Sequence, residues 1–269
     1  FELDDEKYIP AKKWIAINTR DCFTEKEIGI RNRLCKKRIP GKYSWFVKKF
    51  RKYLEIQGFA TRFGLDNFLQ EGLDIDTYLR GKAIIDAGAF IGDSSMVFCQ
   101  TDCGVVYAFE ADKKNAKILK ENSKHESFCN KCIVFDKGLS NTNQSAYFTR
   151  SRSINPNVRE TCVKTSSSSS IRLMRLDSLM LNDVGFVKLD IEGGEENALE
   201  GMQDTIIRCR PAISCALYHS PQQLINILKF GLSLEKYGYK VFVRRVQYES
   251  PACEIYLQAF VPISNKNEK

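Results

Sequence analysis

"AIIDAGAFIGDSSMVF", residues 83–98, is the stretch whose reading decides the fold. An apolar run ends in an acid, two glycines follow four residues apart, and an apolar pattern of helical spacing begins. A short apolar run, a glycine turn and a helix start make a strand–loop–helix unit. Gly88 and Gly92 let the backbone turn tightly and let a ligand approach it closely.

Downstream the chain repeats the unit. Strand-like runs are "GVVYAFEA" (104–111), "CIVFDKG" (132–138), "VGFVKLDI" (184–191), "AISCALYH" (212–219), "YKVFVRR" (239–245) and "EIYLQAFV" (254–261). Helical patterns separate several of them: Gly92–Gln100, 113–124, 195–206 and 221–238. Strand and helix in alternation predict an open, mostly parallel sheet covered on both faces. The last two strands share a linker too short for a helix and so pair antiparallel. Residues 140–171 break the rhythm. "AYFTR" (146–150) reads as a strand, and "TSSSSS" (165–170) reads as a loop over the site or a disordered tract.

With 269 residues, 43% of them hydrophobic, the chain is long enough for one large domain and an appendage. The expected division is a basic, partly helical extension over 1–82 and a main domain over 83–269. No apolar run reaches the roughly 18 residues that span a bilayer. The net charge of +8 is uneven: residues 11–52 hold fourteen Lys and Arg against Asp21, Glu25 and Glu27. That density attracts an anionic partner, or else is a solvated face. Tyr43, Phe46, Val47, Phe50, Tyr53 and Leu54 have helical spacing, and a second short helix is expected over 65–73. The ten cysteines form no regular framework, which suits reduced thiols in a cytoplasmic protein. Cys99-x3-Cys103 and Cys129-x2-Cys132 have spacings that suit zinc, with small core residues as the plainer reading.

In a doubly wound sheet the loop after the first strand lies at the carboxyl ends of the strands, where ligands bind. A dinucleotide fingerprint needs G-x-G-x-x-G, but bulky Phe90 stands at its second glycine and Asp93 at its third. Asp86 would repel a pyrophosphate. A ligand with a cationic amino group and a nucleoside, but no phosphate, suits the loop better. Glu110 ends the second strand 22 residues beyond Gly88, where a carboxylate accepts both ribose hydroxyls. S-adenosylmethionine meets these constraints together.

The blocks "DAGAFIGDSS", "VYAFEAD", "VGFVKLDIEGGEENALEGM" and the segment from "SCALYH" to "LQAF" resemble those of FkbM-family S-adenosylmethionine-dependent methyltransferases. The resemblance covers roughly residues 83–261. It implies a class I methyltransferase sheet, Rossmann-like, of seven strands, with the antiparallel seventh inserted beside the sixth. It also implies O-methylation of a sugar, glycan or natural-product hydroxyl. By the same resemblance Asp86, Gly88 and Ala89 hold the methionine part of the cofactor, and Gly92 is a further cofactor-binding residue of the loop. Ser94 resembles the residue that catechol-type O-methyltransferases set against the cofactor carboxylate. Glu110 matches the ribose acid, Ala111 and Asp112 flank adenine, and Asp136 accepts from the adenine amino group.

Methyl transfer to an alcohol needs a positioned hydroxyl and a group that takes its proton. Asp190 and Glu192 end the fourth main strand and His219 ends the fifth. His219, with an ordinary pKa of roughly 6.5, is the expected base. Asp190 is expected to face both cofactor and acceptor, and a divalent metal held by Asp190, Glu192 and His219 is an open alternative. Catechol-type enzymes place a lysine three residues after the acid matching Asp190; here that position is Gly193. Two rival readings are an N-methyltransferase acting on nucleic acid or protein, and a non-catalytic nucleotide-binding module.

Overall fold

The computed structural model describes residues 63–148, 169–219, 221–245 and 255–262. The basic segment 11–52, the expected helix over 43–58 and the first part of the Ser-rich tract lie outside these residues. Three strands of almost uninterrupted apolar sequence form the centre. They are β1 (Ala83–Ala87), β7 (Val184–Leu189) and β8 (Ala212–Ala216), and every residue of each is buried. Such runs are buried on both faces, as parallel strands under helices must be. β2 (Val105–Phe109) and β3 (Cys132–Phe135) extend the sheet on one side, and β10 (Ile255–Phe260) and β9 (Lys240–Arg245) on the other. The order is β3-β2-β1-β7-β8-β10-β9, and β10 runs antiparallel to both neighbours. This is the expected seven-stranded sheet with one inserted antiparallel strand. The order reverses beside β1, so the loop after β1 opens at the crevice where ligands bind.

Helices cover both faces. α1 (Leu65–Gln70), α2 (Ile75–Leu79) and α3 (Asp93–Cys99) pack on one face with Phe186, Phe242 and Phe260. Phe68 of α1 meets those three rings edge-on at 6.0, 5.7 and 6.0 Å. Residues 63–79 therefore share the sheet's core, and a boundary at 82 does not separate them from the main domain. α4 (Lys113–Asn122) begins at Asp112, whose side chain caps the amides of Lys114 and Asn115.

α5 (Glu195–Glu200), α6 (Gln203–Cys209) and α7 (Pro221–Leu234) cover the other face. The single helix expected over 195–206 is broken after Glu200. A Cβ on Gly201 would stand 1.9 Å from the Ser140 carbonyl, so only glycine lets the chain pass there.

A second, three-stranded sheet joins β4 (Gly138–Leu139), β6 (Ser169–Met174) and β5 (Ser145–Phe148) in the order β4-β6-β5. The end of the serine tract is thus the start of a strand. Its backbone pairs with β5, and its apolar alternation is only Ile171 and Leu173 before Met174, too short beside the polar serine run to stand out in the sequence.

Candidate active site

The loop between β1 and α3 bends through three left-handed residues, Gly88 (φ 77°), Phe90 (φ 48°) and Gly92 (φ 100°). Gly88 is required by contact: a Cβ there would lie 1.8 Å from the Asp190 carbonyl oxygen. Phe90 holds a conformation that costs a non-glycine residue roughly 1 kcal/mol or more. Its amide donates to Glu110 Oε2 at 2.9 Å, which ties the strained turn to the end of β2. Ala89, within the loop, is buried.

Glu110 is half-buried at the carboxyl end of β2. Its Oε1 accepts from the Asp112 amide at 2.8 Å and its Oε2 from Phe90. Burial pushes its pKa up to about 7 against these two bonds. Ala111 and Asp112 follow at the mouth, but the Asp112 carboxylate serves as the helix cap, leaving backbone to border a base. Asp136, expected against adenine, instead pairs through Oδ2 with Arg172 of β6 and with Lys120 at 3.8 Å.

Asp86 and Ser94 do not face the cleft. Both are buried, and Asp86 Oδ2 accepts from Ser94 Oγ at 2.7 Å and Ser95 Oγ at 2.6 Å. Asp86 sits opposite Lys188 in the β1–β7 register, with Lys188 Nζ 3.4 Å from Oδ1. The two residues therefore anchor the first turn of α3 from inside. This corrects their expected direct contact with the methionine part of a cofactor.

At the ends of β7 and β8 a second group assembles. Asp190 accepts from Tyr218 at 2.9 and 3.0 Å and from Tyr256 at 2.7 Å. Glu192 projects from a left-handed residue (φ 58°) with its side chain 70% exposed. Desolvation raises its pKa, His219 opposes, and Asp190 and Glu195 add to the rise. Glu195, fully buried in the first turn of α5, accepts from the amides of Ile191 and Gly193 and from Gln223 Nε2. That arrangement shapes the turn from which Glu192 projects.

His219 lies among these acids. Its Nδ1 is 3.1 Å from Glu195 Oε1, without the alignment of a regular hydrogen bond. Its Nε2 is 3.5 Å from Asp190 Oδ1 and 3.6 Å from Glu192 Oε2. Burial favours the neutral ring, yet Glu195, Asp190 and Glu192 together outweigh it and raise the pKa to about 9. At neutral pH the ring is an imidazolium, so the expected role of His219 as a free base is corrected: its acidic neighbours keep the proton on it.

Among the described residues, Asp190, Glu195 and His219 are the group whose donor atoms, within 4.8 Å of one another, come near enough to share a metal ion. Both oxygens of Glu195 and both of Asp190 already accept hydrogen bonds. The imidazolium itself lies between the carboxylates as their cation. The four cysteines with zinc-like spacing are free thiols and form no such group.

The glycine turn, the acid ending β2 and the acid ending β7 all fall within a match to the FkbM methyltransferase domain family over residues 86–241. The chain belongs to the FkbM methyltransferase family. Its domain is that of a S-adenosylmethionine-dependent methyltransferase. A FkbM methyltransferase from Methylobacillus flagellatus is similar in fold at 18% identity and a TM-score of 0.52. The match covers 92% of this chain and spans 60% of that one. A putative O-methyltransferase from Klebsiella pneumoniae is similar at 12% identity and a TM-score of 0.50, covering 94% of this chain and 99% of that one. No curated protein sequence matches the chain. No helix among the described residues is long and apolar enough to cross a membrane.

The FkbM site suits the adenosine end of S-adenosylmethionine. Each oxygen of Glu110 accepts one backbone N–H and keeps a second acceptor position, which matches a pair of ribose hydroxyls. Sequence reasoning missed Lys188, Tyr218, Tyr256, Glu195 and Gln223 as parts of this FkbM site. Lys188 had a signal, a charge inside the apolar run "VGFVKLDI". The two tyrosines had none, because their meeting at Asp190 joins β7 to the segments around β8 and β10.

Proposed function

We propose that the chain transfers the methyl group of S-adenosylmethionine to a hydroxyl oxygen of a sugar, glycan or natural-product acceptor. When bound, the cofactor supplies an electrophilic methyl on a sulfonium. Glu110 holds the ribose, the backbone of Gly88, Ala89 and Ala111 borders the cofactor, and Asp190 faces the methyl end.

The observation that carries the reading is the convergence of Asp190, Glu192 and His219 at the ends of β7 and β8. They stand beside the loop whose Gly88 abuts Asp190. Glu192 is the exposed member and takes the hydroxyl proton. Asp190, held by two phenols, orients the acceptor, and the imidazolium keeps the acids together. An alcohol needs such a proton acceptor. Glu192 stands in this reading where His219 was expected, as the base.

The basic segment 11–52 serves acceptor or partner access in this reading. A cytoplasmic setting is supported by the six described cysteines being free thiols.

The test is a mass-spectrometric screen with S-adenosylmethionine and candidate acceptors. The reading expects hydroxyl-bearing acceptors to gain one methyl on oxygen. Methyl found only on amine nitrogen would overturn it.

A further inference from the structure

Lys188 is a lysine in a strand buried along its whole length, where an ammonium is rare without specific partners. A charge-balancing role alone would set it closest to Asp86 or Asp93. Its shortest contact is different: Nζ donates to the Gly88 carbonyl at 2.9 Å, against 3.4 Å to Asp86 Oδ1 and 3.5 Å to the Ala87 carbonyl. Gly88 is the residue whose left-handed backbone starts the loop and whose Cα faces the Asp190 carbonyl with no room for a side chain.

Fixing that carbonyl fixes the peptide plane between Gly88 and Ala89. The Ala89 amide then donates to the Phe109 carbonyl at 3.0 Å, and the next amide, that of Phe90, reaches Glu110 at 2.9 Å. Lys188 thus lies at one end of a short chain of bonds that finishes on the ribose-binding carboxylate. Through Asp86 it also reaches Ser94 and Ser95 in the first turn of α3.

We propose that Lys188 is a positioning residue for the cofactor, its ammonium pinning the Gly88 carbonyl so that the loop and Glu110 hold their binding geometry. The proposal rests on the methyltransferase reading above.

Two variants of the full chain test it, Lys188→Met and Asp86→Asn/Lys188→Met. Each is assayed for thermal melting and for calorimetric binding of S-adenosylhomocysteine. Lys188→Met leaves Asp86 buried without its partner and should melt early. The double variant should regain melting, since neutral residues of similar size often replace a buried ion pair without loss. It still lacks the donor to Gly88, so its dissociation constant should stay raised about tenfold or more, the loss of a hydrogen bond from a charged group. A double variant that regains both melting and affinity would show that Lys188 only balances charge, and would overturn the proposal alone. Failure of the folded wild-type protein to bind S-adenosylhomocysteine would instead overturn the methyltransferase reading, and this proposal with it.

Discussion

His219 Nδ1 lies 3.1 Å from Oε1 of Glu195, a carboxylate with no exposure to solvent. The pairing turns a histidine at a strand mouth into a fixed cation, and it carries a pH signature. The folded pKa of about 9 stands above the ordinary 6.5, so the protonated ring stabilises the native state. That stabilisation is complete below about pH 6.5 and disappears as the pH rises through about 9. Melting followed from pH 6.5 to 9.5 should show a decline worth on the order of 2 kcal/mol. His219→Gln should flatten it. An equal decline in the variant would contradict the pairing.

Glu192→Gln should lower turnover by roughly a hundredfold, the usual scale for losing a general base. S-adenosylhomocysteine affinity should hold, because the side chain is mostly exposed and pairs with His219. Steady-state kinetics beside a binding isotherm separates the two effects. Normal turnover in this variant would remove Glu192 as the proton acceptor.

Asp93, buried at the start of α3, also makes stability fall as the pH rises, but because its ionised form is costly rather than because a stabilising cation is lost. Burial raises its pKa to about 6, so native Asp93 binds a proton more tightly than the unfolded chain does. Its cost to stability is absent below about pH 4 and grows to its full value above about pH 6. Asp93→Asn should therefore stabilise the protein at pH 7 by on the order of 2 kcal/mol and leave it unchanged near pH 4. Chemical denaturation at the two pH values measures the difference.

Phe68→Ala should cost about 3–5 kcal/mol, as for other large buried aromatics. Its ring joins α1 to three phenylalanines of the sheet and α1 has no separate core. A single cooperative transition at lower denaturant is expected. A loss below about 1 kcal/mol would mean that α1 is peripheral.

The sheet was legible because its central strands are nearly unbroken apolar runs, and a run such as "VGFVKLDI" admits few other fates. The loop was legible because Gly88 sits where no side chain fits and both Gly88 and Gly92 hold left-handed backbone. The direction of Asp86 was not. Spacing places it at the end of β1 but does not say that two hydroxyls of α3 and a lysine of β7 meet it from inside. His219 was found as a site residue, yet its pKa depends on Glu195 and Glu192, which a different strand and turn bring to it. The strand Ser169–Met174 was hidden for another reason: it starts inside the serine run, and its alternation is limited to Ile171 and Leu173.

Binding of the demethylated cofactor tests the central claim most directly. Calorimetric titration of the purified chain should show one S-adenosylhomocysteine bound per chain and no binding of NAD. Glu110→Ala should weaken that binding by about 1.5–3 kcal/mol, roughly 10- to 100-fold, because each oxygen of its carboxylate has one acceptor position left for a ribose hydroxyl. Unchanged affinity in Glu110→Ala, or binding of NAD in preference to S-adenosylhomocysteine, would contradict the account.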